Sequence, residues 1–100
     1  MIARVNKDGN YLETLDSRGR KIKRAYNKGD FLGNSSEIVI VKNGNYIEVY
    51  DENLKRISRV YKKIDTFLGA SGNTFSIQDG NYAETLDEEG KKISRKYSKQ

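Results

Sequence analysis

The sequence predicts an all-β fold made of three copies of one antiparallel unit of about 35 residues, and three observations carry that expectation. Gly9-Asn10-Tyr11, Gly44-Asn45-Tyr46 and Gly80-Asn81-Tyr82 recur at intervals of 35 and 36 residues. Each copy then continues with the same residues in the same order: Glu (Glu13, Glu48, Glu84), Asp (Asp16, Asp51, Asp87), Ile (Ile22, Ile57, Ile93), Arg (Arg24, Arg59, Arg95) and Tyr (Tyr26, Tyr61, Tyr97). The dipeptides Asp8-Gly9, Asn43-Gly44 and Asp79-Gly80 suit two-residue type I′ hairpin turns, and no convincing helical period occurs between them. The chain of 100 residues is read as one domain, with repeats over about 1–28, 29–63 and 64–100.

Each strand of the unit has a local reason. Before the middle turn, Ile38-Val39-Ile40-Val41 is β-branched throughout and favours a pleated sheet. After that turn a strand is expected from Asn45 to Tyr50, then a polar loop, then a strand from Arg56 to Tyr61. The outer loops hold Gly19 and Gly90 where a left-handed residue is needed; the middle loop has no glycine there, and Asn53 is expected to take the role. Asp30-Phe31-Leu32-Gly33 and Thr66-Phe67-Leu68-Gly69 supply a short fourth strand to the second and third copies, with no counterpart in the first.

An equal-arm register for the second hairpin of each copy places Tyr11 opposite Tyr26, Glu13 opposite Arg24 and Leu15 opposite Ile22. The middle copy pairs Tyr46 with Tyr61, Glu48 with Arg59 and Tyr50 with Ile57. The third pairs Tyr82 with Tyr97, Glu84 with Arg95 and Leu86 with Ile93. Strand alternation puts all six residues of a copy on one sheet face. On the opposite face the middle copy carries Ile38, Ile40, Ile47, Val49 and Val60, where the outer copies have Thr14, Ala83, Thr85, Ser94 and Lys96. The middle repeat is thus expected to be buried on both faces and the outer ones on one, as in a stack with solvated or partner-covered ends.

Composition works mainly by exclusion. The chain has no His, Cys, Trp or Pro, which removes nitrogen and sulfur metal ligands, disulfides and Cys or His nucleophiles. Leu, Ile, Val and Phe make 23 of the 100 residues, enough for folding around a thin core. No apolar run approaches a membrane span and no signal-peptide pattern follows Met1, so a cytoplasmic protein with no membrane partner is expected. Gly69-Ala70-Ser71-Gly72 lacks a phosphate-loop lysine and a following helix, and reads as a turn. No calcium-loop spacing of acids is present. The repeated Glu faces an Arg and makes a poor proton donor. No enzymatic activity and no cofactor are expected.

The binding readings follow from charge and aromatics. Net charge is +5, and Lys and Arg gather in Arg18–Arg24, Lys55–Lys63 and Lys91–Lys99, around the last strand of each copy. Tyr11, Glu13 and Arg24, Tyr46, Glu48 and Arg59, and Tyr82, Glu84 and Arg95 form a repeated face that serves either as structural ion pairs or as a carbohydrate site. Lys21, Lys23, Arg56, Lys62, Lys92 and Lys96 are the candidate phosphate contacts if the ligand is nucleic acid, with tyrosine rings stacking on bases.

Four short strands per unit resemble a β-propeller blade in repeat length and strand order. The pattern Asp79-Gly80-Asn81-Tyr82 with Asp87 and Gly90 is also similar to the bacterial WG-type β-repeats, from which it departs in lacking their Trp and in its spacing. The propeller resemblance implies that three blades cannot close a ring and that two chains form a homodimer of six blades. An extended or curled β-meander is the alternative. The function expected from the sequence is a non-enzymatic binding module acting on another protein or on itself, with nucleic-acid and carbohydrate binding as alternatives.

Overall fold

The computed structural model describes residues 1–98. It is all-β, with eleven antiparallel strands in three sheets. The first sheet contains β1 (Arg4–Asp8), β2 (Tyr11–Leu15) and β3 (Lys21–Tyr26). The middle sheet contains β4 (Asp30–Asn34), β5 (Val39–Asn43), β6 (Tyr46–Tyr50) and β7 (Arg56–Tyr61). The third contains β8 (Thr66–Ser71), β9 (Thr74–Asp79), β10 (Tyr82–Asp87) and β11 (Lys92–Tyr97). Each sheet is an up-and-down meander in chain order. No helix among the described residues is long and apolar enough to cross a membrane.

The sheets stack face to face around two apolar layers. Cross-strand pairing of Val41 with Glu48 and of Ile40 with Val49 assigns these residues to opposite faces of the middle sheet. Ile38, Ile40, Ile47 and Val49 bury against Phe75, Ile77 and Leu86 of the third sheet. Val39 and Val41 bury against Ile2 and Leu12 at the first sheet. The middle sheet is buried on both faces, as its two-sided apolar pattern predicts. Each fully buried Ile, Val or Phe contributes roughly 1.5–3 kcal/mol of transfer free energy. Hydroxyls bridge the same layers: Thr14 Oγ1 donates to the Glu52 carbonyl at 2.7 Å, and Ser58 Oγ to the Glu88 carbonyl at 2.6 Å.

The first strands of successive sheets draw together, β4 against β8 and, less extensively, β1 against β4. Glycine permits the closer approach. A Cβ on Gly33 would lie 2.4 Å from the Phe67 ring of the next sheet.

Two sequence expectations are corrected by loop geometry. The pairs Tyr11–Tyr26 and Glu13–Arg24 form as expected, but Leu15 faces Lys21 rather than Ile22. Likewise Tyr50 faces Arg56 rather than Ile57, and Leu86 faces Lys92 rather than Ile93. The cause is the tight loop after each aspartate. Asp16 N–H donates to the Arg20 carbonyl and Gly19 N–H to the Asp16 carbonyl, and the Asp51–Lys55 and Asp87–Lys91 loops repeat this. That closure shifts the register at the loop end, so one residue (Ile22, Ile57 or Ile93) bulges out of the ladder. The second correction concerns Asn53: the left-handed residue of the middle loop is Leu54, at φ 58°, equivalent to Gly19 at 79° and Gly90 at 80°. Leu54 packs against the Ile2, Leu12, Val39 and Val41 layer, and that burial offsets the roughly 1–2 kcal/mol of left-handed strain.

The aspartates hold these loops through their side chains. Asp16 Oδ1 accepts from Arg18 N–H and Arg20 N–H, Asp51 Oδ1 from Asn53 and Lys55, and Asp87 Oδ1 from Glu89 and Lys91, at 2.9–3.0 Å. The backbone bond from Arg20, opposed by burial and helped by Arg18 and the Arg20 charge, holds the Asp16 carboxyl below its ordinary value of 3.8. A depressed carboxylate stabilises the fold fully above that ordinary value and ceases to do so as pH falls through the lower folded one. Amide exchange at Arg18 and Arg20 is therefore expected to rise as pH drops below 3.8, and to rise without that pH dependence in Asp16→Asn. Equal exchange at pH 5 and pH 3, corrected for intrinsic rates, would contradict this.

Candidate functional site

Each hairpin that follows a Gly-Asn-Tyr turn brings together one Tyr pair, one Arg and one Glu. Tyr11 and Tyr26, Tyr46 and Tyr61, and Tyr82 and Tyr97 are cross-strand partners, with ring centroids 5.5, 5.7 and 5.7 Å apart. The outer pairs meet edge to face and the middle pair is tilted. Two residues along the strand, Arg24 lies over the Tyr11 ring at 4.5 Å, Arg59 over Tyr46 at 4.0 Å and Arg95 over Tyr82 at 3.9 Å. Each guanidinium also holds its glutamate: Arg24 Nη1 to Glu13 at 2.5 Å, Arg59 Nε to Glu48 at 3.3 Å and Arg95 Nε to Glu84 at 3.2 Å. The carboxylate orients the arginine and the arginine covers one tyrosine. The second tyrosine stays open, at 55%, 66% and 60% exposure for Tyr26, Tyr61 and Tyr97.

The nine residues of the repeated face thus assemble as three Tyr–Arg–Glu clusters, one per sheet. Two of the three glutamates are withdrawn. Glu48 is 4% and Glu84 2% exposed, each roofed by the preceding sheet, while Glu13 lies on the outer face of the first sheet and is half-buried. A ligand approaching the stack meets tyrosine and arginine rather than carboxylate.

The loop-end bulge carries a second cation to the same face. Lys21 comes to 4.0 Å from Glu13, and Arg56 to 3.7 Å from Glu48. Glu84 receives its second cation from the neighbouring sheet, as Lys62 Nζ closes on Oε1. Of the six candidate phosphate contacts, Lys21, Arg56 and Lys62 are therefore turned to glutamates. Lys23, Lys92 and Lys96 are exposed, with no carboxylate within ion-pair distance among the described residues. Lys23 and Lys96 pair with Thr14 and Ala83, which sets them on the sheet face opposite the tyrosines. Lys99, the end of the third basic stretch, lies outside the described residues.

Tyr50 is a member of the middle cluster that pattern reading overlooks. Its hydroxyl donates to Glu48 Oε1 at 2.6 Å. Burial, then the hydrogen bond and charge of Glu48, pushes its pKa above the ordinary 10.0. A raised tyrosine stabilises the fold fully below pH 10 and ceases to do so as pH rises through the higher folded value. The available signal was a Tyr at the position where the other copies have Leu15 and Leu86.

The clefts are shallow and open. One, between the loops of the middle and third sheets, is lined by Glu37, Asp51, Glu52 and Glu88, and Glu52 there pairs with the Met1 amino group at 3.0 Å. No cluster of three or more metal-ligating side chains occurs among the described residues. No protein-family model matches the chain, and no curated protein matches it in sequence.

Proposed function

We propose that the protein is a non-enzymatic binding module of three propeller-like blades that engages another protein through its Tyr–Arg clusters. The observation that carries this is the threefold recurrence of an open tyrosine beside an arginine already fixed on a second tyrosine. Tyr and Arg are enriched at the energetic centres of protein interfaces, and fixing them beforehand lowers the ordering cost of binding. Packed sheets lie about 10 Å apart, so the clusters form a ladder of roughly that period along the stack. The drawing together of β4 and β8, the first strands of the second and third copies, supports the blade-like description, since blades converge at their first strands.

The polarity of the stack ends favours a different protein over a second copy closing a six-bladed ring. The outer face of the first sheet presents Arg4, Asn6, Glu13 and Arg24, where the equivalent strand positions of the other sheets carry Val39 and Val41, or Phe75 and Ile77. The outer face of the third presents Ser76, Gln78, Thr85 and Ser94, where the middle sheet has Ile40, Lys42, Val49 and Ser58. These groups bond within the chain. Ser76 and Thr85 hydroxyls lie 3.1 Å apart, and Gln78 Nε2 donates to the Gly80 and Ser98 carbonyls at 3.0 and 2.7 Å. Polar outer faces of this kind terminate repeat stacks.

Exposed Tyr97 with exposed Lys92, which pairs with Leu86 on the same face of the third sheet, supports nucleic-acid binding as a second reading. One experiment separates them: affinity capture with the protein and with the triple variant Tyr26→Ala, Tyr61→Ala, Tyr97→Ala, alongside anisotropy titration of a labelled single-stranded oligonucleotide across salt. A protein retained at about 0.5 M salt by the native ladder and lost with the triple variant is the expected result. Oligonucleotide binding that weakens steeply with salt would favour the second reading. Capture unchanged by the triple variant would overturn the ladder as the site.

A further inference from the structure

We infer that the open edge of β1 is an acceptor for an extended peptide strand, and that the peptide it selects carries an acidic residue followed three positions later by glycine. The inference goes beyond the Tyr–Arg ladder and does not depend on it. Strands β5 and β9 each lie between two neighbours, β4 and β6 or β8 and β10. Their equivalent in the first sheet, β1, pairs among the described residues with β2 alone. Of its residues only Val5 is half-buried, and Arg4, Asn6, Lys7 and Asp8 are exposed. In a hairpin closed by a two-residue turn, Asp8 and Tyr11 exchange ladder bonds, so alternate residues Val5 and Lys7 direct their backbone groups to the open side.

The chain contains templates for what fits there. Beside β5, Asp30 faces Lys42, Phe31 faces Val41 and Gly33 faces Ile40, with a bulge between the last two pairs. Beside β9, Phe67 faces Ile77 and Gly69 faces Ser76, with the same bulge, and Thr66 stands opposite Gln78 where the middle sheet has Asp30 opposite Lys42, so the acid goes with the lysine. The repeat spacing makes Lys42 equivalent to Lys7 and Ile40 equivalent to Val5. An incoming strand in the same register sets its acid against Lys7 and its glycine against Val5. The charge is complementary: Arg4 and Lys7 are exposed on this strand, and Lys7 Nζ, which donates to the Gly29 carbonyl at 3.2 Å, would turn to the incoming acid.

The glycine requirement comes from the next sheet. Phe67 of the third sheet fills the space that a side chain on Gly33 would need, 2.4 Å from the virtual Cβ. The residue equivalent to Phe67 in the middle sheet is Phe31, which packs on the same apolar layer as Val5. A strand beside β1 with a side chain at that position meets the Phe31 ring. The site is also continuous with an existing contact: β4 lies against β8 more extensively than against β1, and a strand beside β1 would extend that row. Peptides bound by strand addition gain affinity from main-chain bonds and selectivity from alternate side chains. Here the selectivity falls on the acid and the glycine.

The probe is a synthetic peptide with the sequence of residues 27–36, Asn-Lys-Gly-Asp-Phe-Leu-Gly-Asn-Ser-Ser, titrated into the isotope-labelled protein and followed by amide shifts and hydrogen exchange. The expected result is saturable binding that slows exchange of the Val5 and Lys7 amides. Replacing the second peptide glycine by valine, or N-methylating the flanking residues, should weaken binding at least tenfold without touching the protein's fold. Lys7→Glu should weaken binding about tenfold, and a peptide with Lys in place of its Asp should recover it on that variant. Absence of saturation at about 1 mM peptide would overturn the proposal. So would indifference to valine and N-methylation, or shifts confined to Tyr26, Tyr61 and Tyr97.

Discussion

Gly33→Ala is expected to destabilise the protein by about 2–3 kcal/mol, the cost of forcing an extra carbon into a packed contact. The Cβ would stand 2.4 Å from the Phe67 ring. The ring is held in turn by the layer of Ile38, Ile40, Ile47 and Val49 and cannot withdraw without opening it. Phe67→Leu shrinks the obstacle, so the double variant should be less destabilised than the two single effects added together. Gly69 is the internal control. It occupies the equivalent position in the third sheet, has no atom of the described residues within 4 Å of its virtual Cβ, and carries only the constraint of φ +151°. Gly69→Ala should cost about 1 kcal/mol through backbone strain. Urea midpoints measure all four proteins. Equal losses for Gly33→Ala and Gly69→Ala, or simple additivity with Phe67→Leu, would mean that the middle and third sheets are not in contact there.

The second large effect is expected at Glu84. Glu84→Ala removes a 2%-exposed carboxylate that holds Lys62 of the middle sheet and Arg95 of its own. Deleting one member of a buried pair costs roughly 3–5 kcal/mol. Both cations here reach water, at 25% and 45% side-chain exposure, so a loss of about 2 kcal/mol is the better expectation. Glu13 offers the contrast. Its partners Lys21 and Arg24 are 52% and 39% exposed, and Glu13→Ala should cost at most about 1 kcal/mol. Releasing Arg95 also frees the face of Tyr82, so the tyrosine near-ultraviolet signal should change with Glu84→Ala and persist in Glu84→Gln. Equal destabilisation by Glu13→Ala and Glu84→Ala would refute the assignment of Glu84 as a tie between sheets.

Local and short-range pattern was enough for the strands, the turns and part of the register. Asp8-Gly9 and its two repeats demand left-handed glycine, found at φ 59°, 64° and 62°, so the hairpins are legible residue by residue. The Tyr11–Tyr26 and Glu13–Arg24 pairs follow by counting from those turns. Counting fails at the other end of the strand because the five-residue Asp loop imposes its own closure, and the mismatch is taken up as a bulge at Ile22, Ile57 and Ile93. Leu54 is illegible for a related reason: preference tables place Asn or Gly at φ 58°, but a leucine there gains an apolar layer from another sheet.

The sequence alone determined an all-β chain of three like units, a middle unit apolar on both faces, and Tyr, Arg and Glu in register, because each of these depends on alternation and turn chemistry within about 35 residues. Only the tertiary structure decided which of those groups meet solvent. Stacking one sheet on the next covers Glu48 and Glu84 yet leaves Tyr26, Tyr61 and Tyr97 open at the strand ends. It also turns Lys62 inward, sets Gly33 under Phe67, and among the described residues leaves β1 with one neighbour where β5 and β9 have two. These outcomes depend on contacts between units, and no pattern confined to one unit encodes the face that a neighbour will cover.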